Sequence, residues 1–383
     1  MKRINRKFSI AFALISIIIA SLMVFSFGCV KKEEKEIKIG AILPLTGDMA
    51  TFGESFKSGI DLAVDEVNKE KKIHDKRLLV IYEDDRGKGD FAVSAFRKVV
   101  TSDKVESIIG GVMSSTAMPI APIAQKEKVV LLSPTATAPA LSQIKDYFFR
   151  IQPSDVFEGE IMAEFVSKQL KAKNVGVLYV NNDWGTGLAE VFKSKFRLFG
   201  GNISGSIIES YGLGDNDFRS QLTKIKSVNP EYIYLLGYLK ELSIILKQMR
   251  ELSVKSKILS AYSFNDPKLI EVAGDVTENA IFTMPTYDPE SKDPIVSNFA
   301  ERYIAKYGKK PDQFAAHAYD CMRILSKVIM DGALKGPEIN NALHKLRNYP
   351  GVTGTITFSE ENGDVTKPLR FFTVKNGEFV PYK

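Results

Sequence analysis

The sequence predicts an α/β fold made of two units of similar layout, each a mostly parallel sheet with helices packed on it. Three observations carry this. Short, mostly apolar runs such as IKIGAIL and VGVLYV read as strands buried on both faces. They alternate with amphipathic stretches long enough for helices, the rhythm of strand–helix–strand units. That rhythm then restarts near IQPSDVFEGE, residues 151–160. A chain of 383 residues is long enough to bury two cores.

The N-terminus is the one part outside this rhythm. Lys2, Arg3, Arg6 and Lys7 precede an uncharged apolar run from Phe8 to Phe27, and Ser26-Phe27-Gly28-Cys29 ends it. A positive start, an apolar stretch and a small residue at its end read as an export signal over 1–28. Gly28 before Cys29 resembles a bacterial lipobox, with Cys29 as the lipidated residue. An uncleaved anchor is the alternative, since about twenty apolar residues span a bilayer. Either way the folded part is expected outside the cytoplasmic membrane and tethered to it. The mixed-charge run before Ile37 reads as a flexible tether over 29–36.

From Ile37 the elements come in regular order. IKIGAILPL is a strand and PLTGDMATFG a glycine-containing loop. ESFKSGIDLAVDEVNKE is a helix with Phe56, Ile60, Ala63, Val64 and Val67 on one face. RLLVIYEDD is a strand and FAVSAFRKVVTSD a helix. Residues 108–139 supply the next two strands, each running into a hydroxyl cluster: Ser114-Ser115-Thr116 and Ser133-Pro134-Thr135-Ala136-Thr137. The second unit repeats the alternation from EGEIMAEFVSKQL to SKILSA. Residues 280–294, AIFTMPTYDPESKDP, are rich in Pro and Asp and break the rhythm, as a crossing between units would. Three helices come next, over PIVSNFAERYIAKYG, QFAAHAYDCMRILSKVIMDG and EINNALHKLRN. The tail reads as hairpins, with Asn376-Gly377 a strong turn signal.

Several chemistries are missing. No strand leads into G-x-G-x-x-G, and there is no phosphate loop and no G-x-S-x-G elbow. His74, His317 and His344 are isolated, without the spacing of a metal site. No cofactor, no metal and no catalytic residue is therefore expected. Only Cys29 and Cys321 are present, so a lipidated Cys29 leaves no intrachain disulfide, and Cys321 reads as a small buried hydrophobe. The formal charge of +6 falls to about +2 without the four signal cations, which gives nucleic acid no electrostatic footprint.

The two hydroxyl clusters are the main functional signal. Where a strand ends and a helix begins, free backbone N–H groups and the positive end of the helix dipole face outward. Hydroxyls add rotatable donors suited to a carboxylate. Taken singly, Ser114 or Thr137 could be an ordinary helix cap.

The chain as a whole resembles a type I periplasmic solute-binding protein of the leucine/isoleucine/valine-binding branch. The resemblance covers nearly all of 37–383. It is carried by IGAILPLTGDMATFG, IGGVMSSTAMPIAP, LLSPTATAP, RIQPSDVFEGE, VNNDWGTGLAEVF, DFRSQLTKIKSVNPEYIYLLGY and SAYSFND. It implies two Rossmann-like lobes with mostly parallel sheets, joined by three hinge crossings, with lobe 1 at 37–153 and 286–362 and lobe 2 at 154–285 and 363–383. It also implies a monomeric extracytoplasmic receptor that delivers a small carboxylate or amino acid ligand to an ABC permease, not an enzyme. The carboxylate would fall on Ser114, on the backbone and side chain around Thr135, and on Thr137. Phe52, Trp184 and Tyr238 would line the cleft. Each also reads as something plainer: Phe52 as a staple for the following helix, Trp184 as packing in an Asn182–Gly185 loop, Tyr238 as a cover for the sheet edge. One place departs from the family. Where amino-acid-binding members hold a glutamate for the ligand ammonium, this chain has Tyr262. Asp155 would take over that role if it faces the cleft, although Ser154-Asp155 also reads as a helix cap. Without it, a neutral or aromatic acid suits the pocket better.

Overall fold

The computed structural model describes residues 35–383, apart from 71, 72, 74, 75, 204–206 and 286. The signal segment, Cys29 and most of the tether lie outside the described residues.

The first sheet has the order β2-β1-β3-β4-β5 and is parallel throughout. Its strands are β1 (Lys35–Leu43), β2 (Lys76–Asp84), β3 (Ser107–Gly110), β4 (Val130–Ser133) and β5 (Phe148–Arg150). The first strand begins two residues before Ile37 and so takes the end of the expected tether. Helices α1 (Ala50–Glu70), α2 (Gly89–Thr101) and α3 (Ser114–Glu127) connect β1 to β4. Phe56 and Ile60 of α1 pack on one face of the sheet, Phe96, Val99 and Ile120 of α2 and α3 on the other.

The second sheet has the order β14-β13-β10-β9-β8-β6-β7. Its parallel part is β6 (Val175–Val180), β7 (Ile208–Tyr211), β8 (Tyr232–Leu236), β9 (Lys257–Ser260) and β10 (Ile281–Pro285). The helices of this unit are α4 (Asp155–Glu164, continued by a π turn to Gln169), α5 (Asp183–Leu198), α6 (Arg219–Val228), α7 (Leu239–Glu251) and α8 (Pro267–Ala273). The expected crossing at 280–294 is thus half wrong. Residues 281–285 are a fully buried strand of the second sheet, and only the part from Tyr287 onward crosses over. Ile281, Phe282 and Met284 are apolar, but the Pro- and Asp-rich residues that follow directly set the reading of the whole stretch.

After β10 the chain returns to the first unit. Helices α9 (Pro294–Tyr307), α10 (Gln313–Met330) and α11 (Gly336–His344) join the α1 face, where α10 lies along α1. A small hairpin, β11 (Tyr349–Gly351) and β12 (Gly354–Ile356), comes next. The chain then reaches the second sheet a last time as the antiparallel pair β13 (Leu369–Lys375) and β14 (Glu378–Pro381), turned at Asn376-Gly377 with φ of 53° and 74°. Two positive φ values in succession are what a two-residue hairpin turn requires. The chain passes three times between the sheets, after β5, after β10 and before β13. Cys321 is fully buried in the first core, as its helical spacing among apolar neighbours predicts.

Candidate binding cleft

In both sheets the chain order reverses at one point, and the loops at the carboxyl ends of the strands there face a shared cleft. In the first sheet the reversal lies between β1 and β3, in the second between β6 and β8. Open α/β sheets bind ligands at such switch points. The cleft between the lobes encloses about 640 Å³ of empty space, its mouth included. Lobe 1 contributes the β1–α1 and β3–α3 loops and Thr135; lobe 2 contributes Trp184, Tyr238 and the 262–266 segment. The lobes touch at the rim, where Lys240 lies 3.4 Å from Asp48. Such an exposed pair adds little stability.

Ser114 is the first residue of α3, whose N-cap is Met113, so it does not cap its own helix. Its Oγ instead accepts from the backbone N–H groups of Thr137 and Ala138, at 3.3 and 3.1 Å. The two hydroxyl clusters are therefore bonded to each other. The Ser114 proton is left to point elsewhere, polarised by the two donors at its oxygen. Thr135 lines the cleft, but its hydroxyl donates to the Val112 carbonyl at 2.7 Å. The side chain expected to meet a carboxylate is thus engaged, which leaves that task to backbone. Thr137 does not line the cleft. Its hydroxyl is buried without a hydrogen-bond partner, beside the Tyr262 phenol. Replacing Ser114 by Ala is expected to weaken ligand binding by about 1–3 kcal/mol, since a charged group loses a donor in a dry site. Titration calorimetry showing unchanged affinity in that variant would move the carboxylate site elsewhere.

The aromatic walls are set by two glycines. Phe52 lies within α1, which begins at Ala50 and not after Gly53 as the loop-like sequence suggested. A Cβ on Gly53 would stand 2.0 Å from the Pro44 carbonyl oxygen, so only glycine lets this first turn sit against the strand end. Phe52 there meets Phe314 edge-on at 4.8 Å. Trp184 also lies in a helix, the first turn of α5, and not in a loop. The Asn182 side chain caps this helix by accepting from Gly185 N–H at 2.8 Å. A Cβ on Gly185 would meet the Val180 carbonyl at 2.2 Å. Trp184 is 2% exposed, its indole N–H has no partner, and its ring lies 5.2 Å from Tyr238 and 6.0 Å from Tyr262. Asn182 also donates to the Tyr238 hydroxyl at 3.3 Å, so one side chain sets both the helix start and the neighbouring ring.

Asp155 is the first residue of α4, and Ser154 is the cap. The aspartate is 0% exposed, does not line the cleft wall, and neither carboxylate oxygen has a hydrogen-bond partner. Burial, and then the neighbouring Glu158, push its pKa well above the usual carboxylate range; Thr137 and Arg150 oppose this. The sequence pattern did not single out Glu158, which looked like an ordinary first-turn acid. It is 3% exposed, accepts from the Thr283 hydroxyl and the Tyr262 backbone N–H, and is pushed up to about 7, mainly by burial. Asp155 and Glu158 face Tyr234 and Tyr262, whose hydroxyls burial and then these acids hold above their ordinary values; Tyr238 is raised by burial, then by Glu241 and Asp155. Tyr262 is thus the wall between the cleft and a pair of buried acids. Met49, Met113 and Phe314 also line the cleft, and the sequence reading did not single them out.

Among the described residues, no group of three or more His, Cys, Asp or Glu is placed to hold a metal ion, and no helix is long and apolar enough to cross a membrane. Residues 36–378 match the sequence profile of the periplasmic binding proteins. The chain belongs to that family. Its relatives place it in the leucine/isoleucine/valine-binding branch. The Leu/Ile/Val-binding protein BraC3 of Rhizobium johnstonii is 30% identical over 86% of this chain and 89% of its own. A leucine-binding protein of Thermotoga maritima has a TM-score of 0.84 at 33% identity, covering 91% of this chain and 98% of its own. The branched-chain amino acid substrate-binding protein of Streptococcus pneumoniae, solved with isoleucine, gives 0.81 at 30%, covering 90% and 98%. Periplasmic binding proteins bind solutes and do not transform them, and that is the class of activity this periplasmic binding protein has.

Proposed function

We propose that this periplasmic binding protein is the capture subunit of an ABC importer and takes a small aliphatic amino acid, of the branched-chain class, between its lobes. The observation that carries this reading is that a carboxylate donor and a buried acid meet at Thr137. The Ser114 hydroxyl and the first-turn N–H groups of α3 suit a carboxylate, and the Ser114 oxygen holds the Thr137 N–H. The Thr137 carbonyl accepts from the Asp155 N–H at 2.9 Å, which brings the acid to the same corner, behind Tyr262. The rest of the cleft is aromatic and apolar, between Phe52 and Trp184. An α-amino acid, with carboxylate and ammonium on one carbon and a hydrocarbon side chain, matches this arrangement. Ligand bound to lobe 1 favours the closed form through the contacts that Trp184, Tyr238 and Tyr262 add on closure. The closed lobes then dock on a membrane permease. The receptor acts outside the cytoplasmic membrane as a monomer, kept there by acylation at Cys29 after a signal over 1–28; the lobes divide as given from the sequence, except that Gly363 and Val365 stay with lobe 1.

A thermal-shift screen tests this. Leucine, isoleucine or valine at a hundred times its Kd contributes about 2.7 kcal/mol and raises the Tm by mass action. A shift with benzoate-type or other non-amino acids, and none with amino acids, would replace the amino acid by a neutral carboxylate ligand. Loss of labelled-ligand uptake in a strain lacking the protein separates import from sensing.

A further inference from the structure

Two acids stand one helical turn apart at the start of α4, both walled off from solvent. Glu158 is anchored by the Thr283 hydroxyl and the Tyr262 backbone N–H. Neither Asp155 oxygen has a hydrogen bond of good geometry; of the groups beside it, the Thr137 hydroxyl and then Arg150 favour its charge, and Glu158 opposes it. Arg150 is committed elsewhere, to Asp364 at 2.6 Å and to the Ala138 carbonyl at 3.0 Å. The other groups facing the acids, from β8, its following turn and the 262–264 turn, are tyrosines, which bring no positive charge. Two carboxylates in so dry a site cannot both ionise without a cation; like charges at close range force one to keep its proton.

We propose that Asp155 and Glu158 share one proton in the empty receptor and that the ligand's ammonium displaces it, so that capture of an amino acid is coupled to proton release. This rests on the reading that the ligand is an amino acid. The pair goes from one bound proton and one negative charge to none and two, the ammonium supplies the compensating charge, and the proton leaves to buffer. Glu158 is then a specificity residue. A ligand without a cation gains nothing from the pair and releases no proton, so the site discriminates against neutral acids. Protons compete with the ammonium, so affinity is lost as pH falls through the range where the empty pair takes up its proton, and is restored as pH rises above it.

Titration calorimetry with L-leucine at pH 6.5, in buffers of different ionisation enthalpy, reads this directly. The expected result is release of most of one proton per leucine and a Kd that weakens about fivefold from pH 7 to pH 6. In Glu158→Gln, whose amide oxygen can still accept from Thr283, leucine is expected to bind with less than half of that release and a flatter pH dependence. Leucine binding to the native protein without proton release overturns the proposal while leaving the amino acid reading in place. So does release undiminished in Glu158→Gln. Absence of binding by leucine, isoleucine and valine together overturns the amino acid reading, and the proton coupling with it.

Discussion

Asp155→Asn is expected to remove measurable binding of an aliphatic amino acid, a loss of about 2–5 kcal/mol, the usual cost of deleting one partner of a desolvated charge pair. The physical case is that an ammonium enclosed by Tyr262, Tyr238 and Trp184 has left water and needs a carboxylate in return. The cleft wall itself offers Asp266, which is half-buried and whose Oδ1 accepts from Lys268 N–H at 2.9 Å as the cap of α8. Asp155 is fully buried with no hydrogen bond of good geometry on either oxygen, so an ammonium gains more there. Asparagine keeps the shape and removes the charge, so the fold should survive. It should even gain: a carboxyl whose folded pKa lies above its unfolded value contributes stability below the unfolded pKa and loses it as pH rises through the folded one. The variant without ligand is therefore expected to be more stable than the native protein at pH 8, with the difference shrinking toward pH 5. Urea unfolding at the two pH values measures that, and calorimetry measures the binding. Leucine affinity within twofold of native in Asp155→Asn would place the ammonium elsewhere, and unchanged binding of a neutral acid in the same variant is the expected control.

Much of this was legible in sequence because it is local. Apolar runs such as Ile37–Leu43 and Val175–Val180 are strands whichever partner they find, since a strand buried on both faces has no other composition. Strand-end hydroxyls mark a site because the sheet's carboxyl edge is where helix N-termini open. Features that depend on a partner far along the chain escaped. Ser114 and Thr137 looked like independent caps, and nothing local says that the oxygen of one holds the backbone of the other 23 residues on. Phe52 and Trp184 were placed in loops because glycine comes directly after each. The glycines serve close approach to a strand end instead, and the helices start before them. Ile281–Pro285 sat in a Pro- and Asp-rich stretch, and only pairing with β9 and β13 makes it a strand. Glu158 was the largest omission. Its spacing from Asp155 was visible, but a helix's first turn favours acids for the dipole alone. Burial by Thr283 from 125 residues away is what turns it into part of the site.

Arg150→Met is expected to cost about 3–5 kcal/mol of stability, the range for breaking a buried ion pair by removing one side. Arg150 ends β5 at the first crossing and is fully buried. Its Nε donates to Asp364 Oδ1 at 2.6 Å, and Asp364 lies on the third crossing. Its remaining nitrogens donate to the Ser142 hydroxyl at 2.5 Å and to the carbonyls of Ala138 and Ala136 at 3.0 and 3.4 Å. Ser142 in turn donates to Asp364 at 2.8 Å, and the Arg150 N–H to the Gly363 carbonyl at 2.9 Å. One guanidinium thus ties two crossings together and grips both sides of Thr137. Its loss strands two carbonyls and an acid, and it frees the turn that the Ser114 hydroxyl holds from the other direction. Ligand affinity should therefore fall together with stability, although Arg150 does not line the cleft. The double variant Arg150→Met, Asp364→Leu separates pairing from packing. An apolar replacement of both partners leaves no orphaned charge, so it is expected to recover part of the stability lost in the single variant. It should not recover the affinity, because the carbonyls of Ala136 and Ala138 still lack their donor. A single variant within about 1 kcal/mol of native in urea unfolding, well short of a broken buried pair, would show that the crossings are held by backbone pairing alone and that the buried arginine adds little to them.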